Sequence, residues 1–483
     1  MVEADAAVWS GWLDVVMSII SPVFAQARSR RAGFDYVRTL LRAEGRRSCW
    51  QLAELAGHAS PRRLQALLAD YVWDAQVLAE RVRAFLLDAL ADPEAVLAID
   101  ETAELKAGDQ TVGVAAQYAG ITGQVENCQT VVFLAYVTAR AHALMDFVLY
   151  LPKTWAGDAG RRARAQVPDR VGFATKPQLA IDLIRRAVAG SVPFAWIVAD
   201  EVYGRAGQLR AYVESLDKGY VFTVPTSFAV TCADGVHTVT TLARRVPAGG
   251  WSQRSCGPGC KGHRWYEWAW IATASPTHQV LVRRHPGDHS KVTFFYCHTP
   301  HGATLATLVR IAGRRWPVET CFQAAKSILG IDAHQVRLWH SWHRHTVLTL
   351  LAAAVLAVAT AGPDSNAPAD RDPGDGDRDS DRDGGNTDTV AATTVEREAL
   401  PAQPASWRDT APLPVRPDQP PPTDHGMIKV SIAEARRLLA IATSAATTTV
   451  KLFYLHWSDW RRRHQARARW HHWRTRLRRH ATA

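Results

Sequence analysis

Two short apolar runs, Val96-Leu-Ala-Ile-Asp100 and Phe194-Ala-Trp-Ile-Val-Ala-Asp200, decide the fold because each ends in an aspartate. Short, continuous apolar runs of this kind predict buried β-strands. If the two strands are parallel neighbours, both carboxylates leave the sheet at the same edge, where α/β sheets place their ligands. An aspartate after a strand also commonly caps a turn, so the pair alone is a weak signal.

The order of elements around these runs predicts the architecture. Strand-like runs at 112–118, 130–137 and 147–151 follow the first aspartate, and 176–187 is helical. After the second aspartate comes a helix at 208–216 and a strand at 220–224. Three strands, then helix, strand, helix and strand, is the order of an RNase H-like α/β domain with a mixed sheet.

The rest of the 483-residue chain differs in composition on either side of this core. Its Asp- and Pro-rich stretch before His425 carries too little apolar surface to fold and predicts a disordered linker. The predicted division has a helical DNA-binding region at 1–93, the catalytic core at 94–225 and 304–361, a β-rich insertion at 226–303, a disordered linker at 362–426 and a basic helical tail at 427–483.

One segment of the N-terminal region has the pattern of a helix-turn-helix. Gly57 ends one short helix, Ser60 can cap the next, and Pro61 suits its first position. Arg62 and Arg63 then begin the second helix, where a recognition helix contacts DNA. A helical hairpin without DNA-binding function has the same pattern, so both interpretations stay open.

The charge of the chain points to an acidic polymer as its partner. The formal net charge is +11, and residues 451–483 hold ten Lys and Arg against one Asp. Arginine interleaved with tryptophan suits contact with the DNA backbone, and Arg461, Arg462 and Arg463 are candidates. A membrane-surface helix is the rival interpretation, but nothing else in the sequence supports a membrane role.

No feature of the sequence predicts export or a membrane span. The longest apolar run, 347–361, has 15 residues, and a bilayer needs about 20, so we expect a buried helix. The seven cysteines form no disulfide framework, and Glu3 and Asp5 stand where a signal peptide would be basic. We therefore expect a cytoplasmic protein.

A third acid is needed if the two aspartates bind hard cations. Glu319 is the candidate, because Glu319, Gln323 and Lys326 share one face of a predicted helix whose other face is apolar. This places an acid and a base together beside the sheet. A set of oxygen ligands without a thiolate suits Mg²⁺ or Mn²⁺ rather than zinc.

Nine short blocks occur in an order that resembles the bacterial insertion-sequence transposases of the DDE endonuclease superfamily, in the branch with a β-rich insertion before the catalytic glutamate. The resemblance covers about residues 50–361. The blocks are Asp100-Glu-Thr, Gly113-Val-Ala-Ala-Gln-Tyr-Ala-Gly120, Asn127-Cys-Gln129, Leu149-Tyr-Leu-Pro-Lys-Thr-Trp155, Phe173-Ala-Thr-Lys-Pro177, Ala199-Asp-Glu-Val-Tyr-Gly204, Lys261-Gly262, Arg315-Trp-Pro-Val-Glu319 and Val336-Arg-Leu-Trp-His-Ser-Trp-His-Arg-His345.

The resemblance implies roles for particular residues. The metal-binding triad would be Asp100, Asp200 and Glu319. Relatives carry a Tyr-Arg-Glu-Lys signature around the glutamate, whose basic positions correspond to Arg315 and Lys326 here and would contact DNA phosphates. The tyrosine position is Ala312, so a hairpin intermediate is not implied. Lesser candidates for DNA contact are Lys176, His343 and Arg344.

The activity implied is Mg²⁺-dependent cutting of insertion-sequence ends, followed by joining of the freed 3′ hydroxyl to target DNA. The partners implied are double-stranded DNA, as terminal inverted repeats and as target, and a second copy of the chain in a homodimer, in the nucleoid of a bacterial cytoplasm. Two alternatives stay open at this point: a non-catalytic, domesticated DNA-binding protein, and an RNase H-like nuclease without strand transfer.

Two features of the predicted insertion have further interpretations. Its tryptophans could pack in a hydrophobic core or stack on an unpaired base. They are Trp251, Trp265, Trp268 and Trp270. Cys256, Cys260 and His263 resemble part of a zinc site, but a fourth ligand is not evident, so a free loop is the favoured interpretation.

Overall fold

The computed structural model describes residues 2–45, 47–259, 262–361, 407–442, 444 and 448–481. The chain begins with five helices packed into one core with the sheet that follows. They are α1 (Val2–Ile20), α2 (Ala27–Arg42), α3 (Cys49–Leu55), α4 (Arg62–Ala69) and α5 (Ala75–Leu90). The short helices α3 and α4 meet at Gly57, whose φ of +77° suits glycine at the turn.

The first six strands follow, with helices between them. The strands are β1 (Val96–Leu105), β2 (Ala115–Ala119), β3 (Gln124–Val137), β4 (His142–Tyr150), β5 (Trp196–Ala199) and β6 (Gly219–Val224). The helices are α6 (Lys153–Ala156), α7 (Ala159–Arg164), α8 (Lys176–Ala189), α9 (Glu201–Gly204) and α10 (Gly207–Ser215). These elements follow the predicted order, although β2 and β4 are shifted by several residues from the predicted strand-like runs.

Strand β1 lies inside the sheet, antiparallel to β3 and parallel to β5. The register aligns Ile99 with Ala199, so the aspartate that follows each residue leaves the sheet at the same edge. Strand β6 continues the sheet parallel to β5, and β4 pairs with β3 on the other side. The prediction that the two apolar runs are parallel neighbours is confirmed, and the molecule has a large mixed sheet with helices.

The segment predicted as a β-rich insertion contains six strands, of which four extend the central sheet. Strand β12 pairs with β6, and the order beyond it is β11, β10 and β9. The elements are β7 (Ala229–Cys232), β8 (Gly235–Thr238), α11 (Val239–Arg244), β9 (Ser252–Gly259), β10 (Gly262–Ala272), β11 (His278–His285) and β12 (Asp288–His298). A small second cluster of buried residues, including Val230, Val239 and Val282, packs on one side of these strands.

The chain then returns to helices. They are α12 (Leu305–Gly313), α13 (Trp316–Gln323), a π-helical turn (Ala324–Ile328), α14 (Trp339–Thr360), α15 (Ile432–Ala442) and α16 (Thr448–Ala481). By length and composition α14 would qualify as a membrane span, but 89% of its most apolar window is buried inside the protein. It packs against α5, α2, α4 and β4, so it is the core helix that the sequence predicts.

The predicted linker divides into two parts. Residues 362–406 lie outside the described residues. Residues 407–426, in contrast, lie against α16: the Trp407 side chain is buried, and Arg469 forms a bidentate ion pair with Asp409 at 2.5 and 2.7 Å. The prediction of a linker without structure therefore does not hold for 407–426. Aspartates of this segment form ion pairs with arginines of α16, and the composition of the segment alone does not indicate these partners.

A buried glutamate fixes α16 to α15. Glu434 is 5% exposed and accepts hydrogen bonds from Arg461 at 2.6 and 3.1 Å and from Arg437 at 3.2 Å. Burial acts to raise the pKa of Glu434, but the hydrogen bonds and the positive charge of Arg461 outweigh it and lower this pKa below its usual value.

We expect Glu434→Gln to lower the free energy of unfolding by about 1–3 kcal/mol at neutral pH, the range for hydrogen bonds to a charged group. Because the folded-state pKa is lowered, this stabilisation is complete above the unfolded-state pKa and is lost as the pH falls through the folded-state pKa. Urea unfolding of both proteins across this pH range tests it. A difference that does not shrink in acid would contradict the ion-pair explanation.

Candidate active site

The two aspartates predicted to bind metal follow aligned residues of neighbouring strands; β5 ends at Ala199 as predicted, whereas β1 continues past Asp100 to Leu105. Asp100 lies within β1, and one of its oxygens accepts the backbone N–H of Glu101 at 2.8 Å. Asp200 is the N-cap of α9 and accepts the N–H of Val202 at 2.9 Å. Capping is the ordinary role of an aspartate at this position. In this structure it also fixes the Asp200 carboxylate at the sheet edge that Asp100 faces.

Arg315 joins the third predicted acid to the first. Its guanidinium donates to Asp100 Oδ2 at 2.9 Å and to Glu319 Oε1 at 2.6 Å. Arg315 precedes α13, and Glu319 lies one helical turn further on, so both face the strand end. The side chain of Asp100 is 14% exposed and that of Glu319 is 39% exposed, which leaves the site open to solvent on the Glu319 side.

The pKa values of the two aspartates are raised because they are buried and lie near other carboxylates. Burial raises the pKa of Asp100 to about 7, and repulsion from Asp200 and Glu101 adds to this, against the attraction of Arg315. Burial, followed by repulsion from Glu101, also raises the pKa of Asp200. Such perturbed acids grouped at a sheet edge are typical of functional sites. The site has more negative charge than Arg315 alone compensates.

A second acid, Glu101, is held by two donors and takes a different role. Its Oε1 accepts from Lys176 Nζ at 2.6 Å, and its Oε2 accepts from the Tyr203 hydroxyl at 2.6 Å. Tyr203, in α9, is fully buried, and burial together with the Glu101 charge raises its pKa well above the usual value. Both oxygens of Glu101 are thus engaged, which ties β1 to α8 and α9 beside the two aspartates.

We expect Tyr203→Phe to destabilise the protein by roughly 1–3 kcal/mol, because one oxygen of the partly buried Glu101 loses its donor. Lys176 still pairs with the other oxygen, so the fold should persist. Thermal and urea unfolding measure the loss. Equal stability of the variant and the wild type would show that water replaces the hydroxyl without cost.

The helix that carries Glu319 changes its winding immediately afterwards. Residues 324–328 form a π-helical turn, a feature often found at functional sites. Within it, Lys326 donates to the backbone oxygen of Ala103 in β1 at 2.6 Å, and burial lowers its pKa. The Lys326 ammonium is therefore held against the strand that bears Asp100. This places the predicted basic residue near the site, and its contact is with the protein.

A buried polar group lies further along β1 and was not predicted. Glu104 is 1% exposed and pairs with His334 Nε2 at 2.9 Å. Lys106 Nζ lies 3.2 Å from the same His334 nitrogen and donates to the backbone oxygen of Asp332 at 2.9 Å. These contacts fasten the loop after the π-helical turn to β1. No local pattern signals this group, because Glu104 follows two other acids in the same strand and its partner His334 lies 230 residues further along the chain.

The three predicted metal ligands are close but do not form a ready cage. Among the described residues, no group of three or more His, Cys, Asp and Glu side chains is placed to hold a metal ion. Asp100 and Asp200 share the sheet edge, while Arg315 stands between Asp100 and Glu319. The donors are all carboxylate oxygens, which fits Mg²⁺ or Mn²⁺, and their excess negative charge fits a divalent cation.

The predicted DNA contacts outside this edge have different outcomes. Arg62 and Arg63 are exposed at the start of α4, as a DNA-contacting helix requires. Arg344 is 8% exposed and donates to the backbone oxygens of Leu68 and Trp73 at 3.2 and 2.9 Å. Its interior position does not fit the prediction that it contacts DNA, because its guanidinium satisfies one carbonyl of α4 and one of the loop before α5.

His343 and Lys176 also differ from the prediction. His343 packs between aromatic rings, with its Nδ1 2.8 Å from the backbone oxygen of Trp339, and burial lowers its pKa to about 4. A neutral histidine in this place packs the core, which does not fit contact with DNA. Lys176 is paired with Glu101, so its charge is already compensated within the protein.

In the tail, two of the three predicted arginines face inward. Arg461 binds Glu434, and Arg462 is 3% exposed and donates to the backbone oxygens of Ile428 and Arg408 at 2.8 and 3.3 Å. Only Arg463 of the three is on the exposed side, with a 3.5 Å contact to Asp424. Their use in docking α16 does not fit DNA contact by Arg461 and Arg462.

Among the tryptophans and cysteines of the β-rich segment, some side chains are buried and others are partly exposed. Trp268 is completely buried and stacks on Phe295, so it belongs to the core, while Trp265 and Trp270 are 38% and 42% exposed. Cys256 is buried and His263 bonds to Ser255 Oγ at 2.7 Å. Cys260 lies outside the described residues.

Part of the chain matches a known protein family. Residues 20–247 match the family model of the DDE superfamily endonucleases. This segment contains Asp100 and Asp200 and ends before Glu319. Over this segment, which is less than half of the chain, the protein is similar to the DDE superfamily endonucleases.

One related protein has a more specific description than the family model. Over 180 residues the chain is 26% identical to a probable transposase for insertion sequence element IS701 from Microchaete diplosiphon. The aligned part is 37% of this chain and 44% of the relative, so the chain matches less than half of the relative's length. Together with the family match, it confirms the resemblance found in the sequence: the chain is related to the insertion-sequence transposases of the DDE superfamily.

Among solved structures, the cryo-EM structure of a piggyBac transposase synaptic complex with hairpin DNA matches 73% of this chain and 72% of that chain. The TM-score is 0.35 and the sequence identity is 11%.

Proposed function

We propose that this protein is a DNA transposase that cuts the ends of an insertion sequence by metal-dependent hydrolysis and joins the freed 3′ hydroxyl to target DNA. The proposal is supported by Arg315, which bonds both Asp100 and Glu319, and by the register of β1 and β5, which puts Asp200 at the end of the strand beside Asp100. The family match at 20–247 and the insertion-sequence relative support the same function.

In this proposal Asp100, Asp200 and Glu319 hold divalent cations, Mg²⁺ or Mn²⁺. When bound, two such ions activate the attacking oxygen and stabilise the leaving oxygen of a phosphodiester displacement. The protein positions the acids: the N-cap of α9 fixes Asp200, and Glu101 with Lys176 and Tyr203 fixes the strand end. Arg315 holds Asp100 and Glu319 and brings a positive charge to the place where a DNA phosphate would enter.

The finer features of the proposal concern fold and assembly. The strand order β4, β3, β1, β5 and β6, with β1 antiparallel to β3 and parallel to β5, supports an RNase H-like core. Arg62, Arg63 and the basic tail are the DNA-binding regions in this proposal, and the terminal inverted repeats and the target are the DNA. Concerted cutting of two ends calls for a homodimer on DNA, in the bacterial cytoplasm and its nucleoid.

Strand transfer is the test that separates this function from its alternatives. The full chain is incubated with Mg²⁺ and a labelled duplex carrying the DNA that flanks its reading frame, with a supercoiled plasmid as target. We expect nicking at the end of the inverted repeat and labelled plasmid joined to the 3′ end.

Each other outcome contradicts the proposal in a definite way. Cutting without joined plasmid would indicate a nuclease without strand transfer. DNA binding without cutting, in Mg²⁺ and in Mn²⁺, would indicate a non-catalytic DNA-binding protein. A pre-cut substrate with a free 3′ hydroxyl serves as the control, because it tests joining when the first cut is bypassed.

A further inference from the structure

Helix α16 has two faces with different partners. One face is buried against the rest of the protein at every fourth residue: Ser458, Arg462, Ala466 and Trp470 are at most 3% exposed. Residues about half a helical turn away lie on the opposite face. This opposite face is exposed, and its side chains are aromatic rings and arginines.

The aromatic rings of the exposed face form a row, which we call the aromatic ridge: Phe453, Trp457, Trp460 and His464. The first three are 57%, 40% and 50% exposed. Successive ring centroids lie 6.2, 5.2 and 5.2 Å apart, and Trp460 is parallel to His464 within 5°. The row spans about three helical turns, or about 16 Å. Exposing large rings in a row is costly in water unless a partner covers them.

The side-chain charges of α16 beside the ridge are positive, and one of them, Arg463, lies 3.5 Å from Asp424 of the 407–426 segment. Arg463 and Arg467 are exposed next to it, and the only acid of α16, Asp459, lies toward the docked face, 3.8 Å from Arg462. The ridge is thus bordered by arginines and without a neighbouring carboxylate on its own helix. Aspartates of the 407–426 segment pair with arginines at the side of the helix, as Asp409 does with Arg469.

Building on the proposed function, we infer that the aromatic ridge binds an unpaired strand of DNA, with bases stacked on the rings and phosphates near Arg463 and Arg467. A duplex offers its bases to neighbouring bases, so it can use the arginines but not the rings. An unpaired strand can use both, because every base has a free face and the backbone is negative. This charge complementarity favours a nucleic-acid strand over an uncharged apolar partner.

Of the three tail arginines predicted from the sequence to contact DNA, only Arg463 keeps that role in this inference. Arg461 and Arg462 hold the helix in place, and the rings together with Arg463 and Arg467 make the contact. In a strand-transfer reaction such a face would bind an unpaired strand where the two strands of a DNA end separate. The ridge would then hold a single strand away from the active-site edge.

The test measures binding of the full chain to fluorescein-labelled oligothymidylate and to a blunt duplex of random sequence by fluorescence anisotropy. We expect Trp457→Ala with Trp460→Ala to weaken oligothymidylate binding about tenfold or more, the size of loss typical for stacked bases, with little change for the duplex. Arg463→Ala with Arg467→Ala should weaken both and reduce the salt dependence of binding.

Matched controls separate the ridge from general damage to the helix. Gln465→Ala changes an exposed residue of the same helix outside the ridge, and Tyr118→Ala removes a ring that is 65% exposed on β2. Both should bind oligothymidylate like the wild type. Circular dichroism and urea unfolding of the tryptophan variant should also match the wild type, because both rings are on the exposed face.

Two results would overturn the inference. One is unchanged oligothymidylate affinity of the tryptophan variant, even where the wild type cuts and joins DNA. The other is tryptophan-dependent binding to phosphatidylcholine–phosphatidylserine vesicles without binding to oligothymidylate, which would make the face a membrane contact. Tryptophan-dependent binding to oligothymidylate by a protein that never cuts DNA would support the ridge and contradict the proposed function instead.

Discussion

Asp100→Asn is expected to reduce DNA cleavage by roughly three orders of magnitude or more while DNA binding persists. Asparagine keeps the shape of the side chain and removes its negative charge, which is now paired with Arg315 at 2.9 Å. If the chemistry depends on charge stabilisation in the transition state, such a change acts on the rate with little effect on affinity. Cleavage of labelled ends and anisotropy-based affinity measure the two quantities.

The neighbouring acids provide the control for this substitution. Asp200→Asn should resemble Asp100→Asn, since both carboxylates face the same edge. Glu201→Gln should keep cleavage near the wild-type level, because the Glu201 side chain is 43% exposed and pairs with Arg205 at the surface. Cleavage that survives Asp100→Asn, or that is lost equally in Glu201→Gln, would reject the assignment of the site.

The pairing of the two aspartates was predictable from sequence because short apolar runs that end in acids have few arrangements in an α/β sheet. Buried neighbours in parallel register follow from hydrophobic patterning and from the right-handed connection through a helix. The local pattern therefore carried the information for Asp100 and Asp200. Glu319 followed from helical spacing, but its ion pair with Arg315 depends on how α13 packs, which no local pattern contains.

The predicted DNA contacts show where sequence reasoning ends. A histidine or arginine in a motif has the same chemistry whether it faces water or the core. Arg344 is buried and His343 is half-buried between aromatic rings because α14 is surrounded by other helices and by β4, and this packing is not visible in the local sequence. In the same way, the arginines of α16 are divided between a docked and an exposed face only once Glu434 and Asp409 are placed beside the helix.

The extent of the sheet was also not visible in the sequence. The segment after Pro225 was expected to be a β-rich insertion, and four of its strands continue the central sheet through the pairing of β12 with β6. Periodicity identifies strands but does not say which edge they join. The edge strand β6 was available, and pairing with it satisfies backbone groups that would otherwise remain open.

Gly204 offers a test of the packing that positions Asp200. This glycine ends α9 where the helix meets β6, and a Cβ there would lie 2.0 Å from the backbone oxygen of Thr223. Backbone in the middle of a sheet cannot move aside as a flexible side chain can. Helix α9 would have to move away from the strand, and its N-cap, Asp200, would move with it.

We expect Gly204→Ala to lower the free energy of unfolding by about 3 kcal/mol, at the upper end of overpacking effects. Cleavage should fall by about a hundredfold at a temperature where the protein remains folded, since displacements of about 1 Å at a reacting group have effects of that size. Urea unfolding and initial cleavage rates measure the two effects, and circular dichroism confirms the folded state under assay conditions.

Gly207→Ala is the matched substitution, three residues further along at the start of α10. A Cβ there would meet only the end of the Arg210 side chain, at 3.7 Å, which is ordinary contact. Its stability should be unchanged or slightly higher, because alanine restricts the unfolded chain more than glycine does. If Gly204→Ala were as stable and active as Gly207→Ala, α9 would not lie against β6, and the placement of Asp200 beside Asp100 would lose its structural basis.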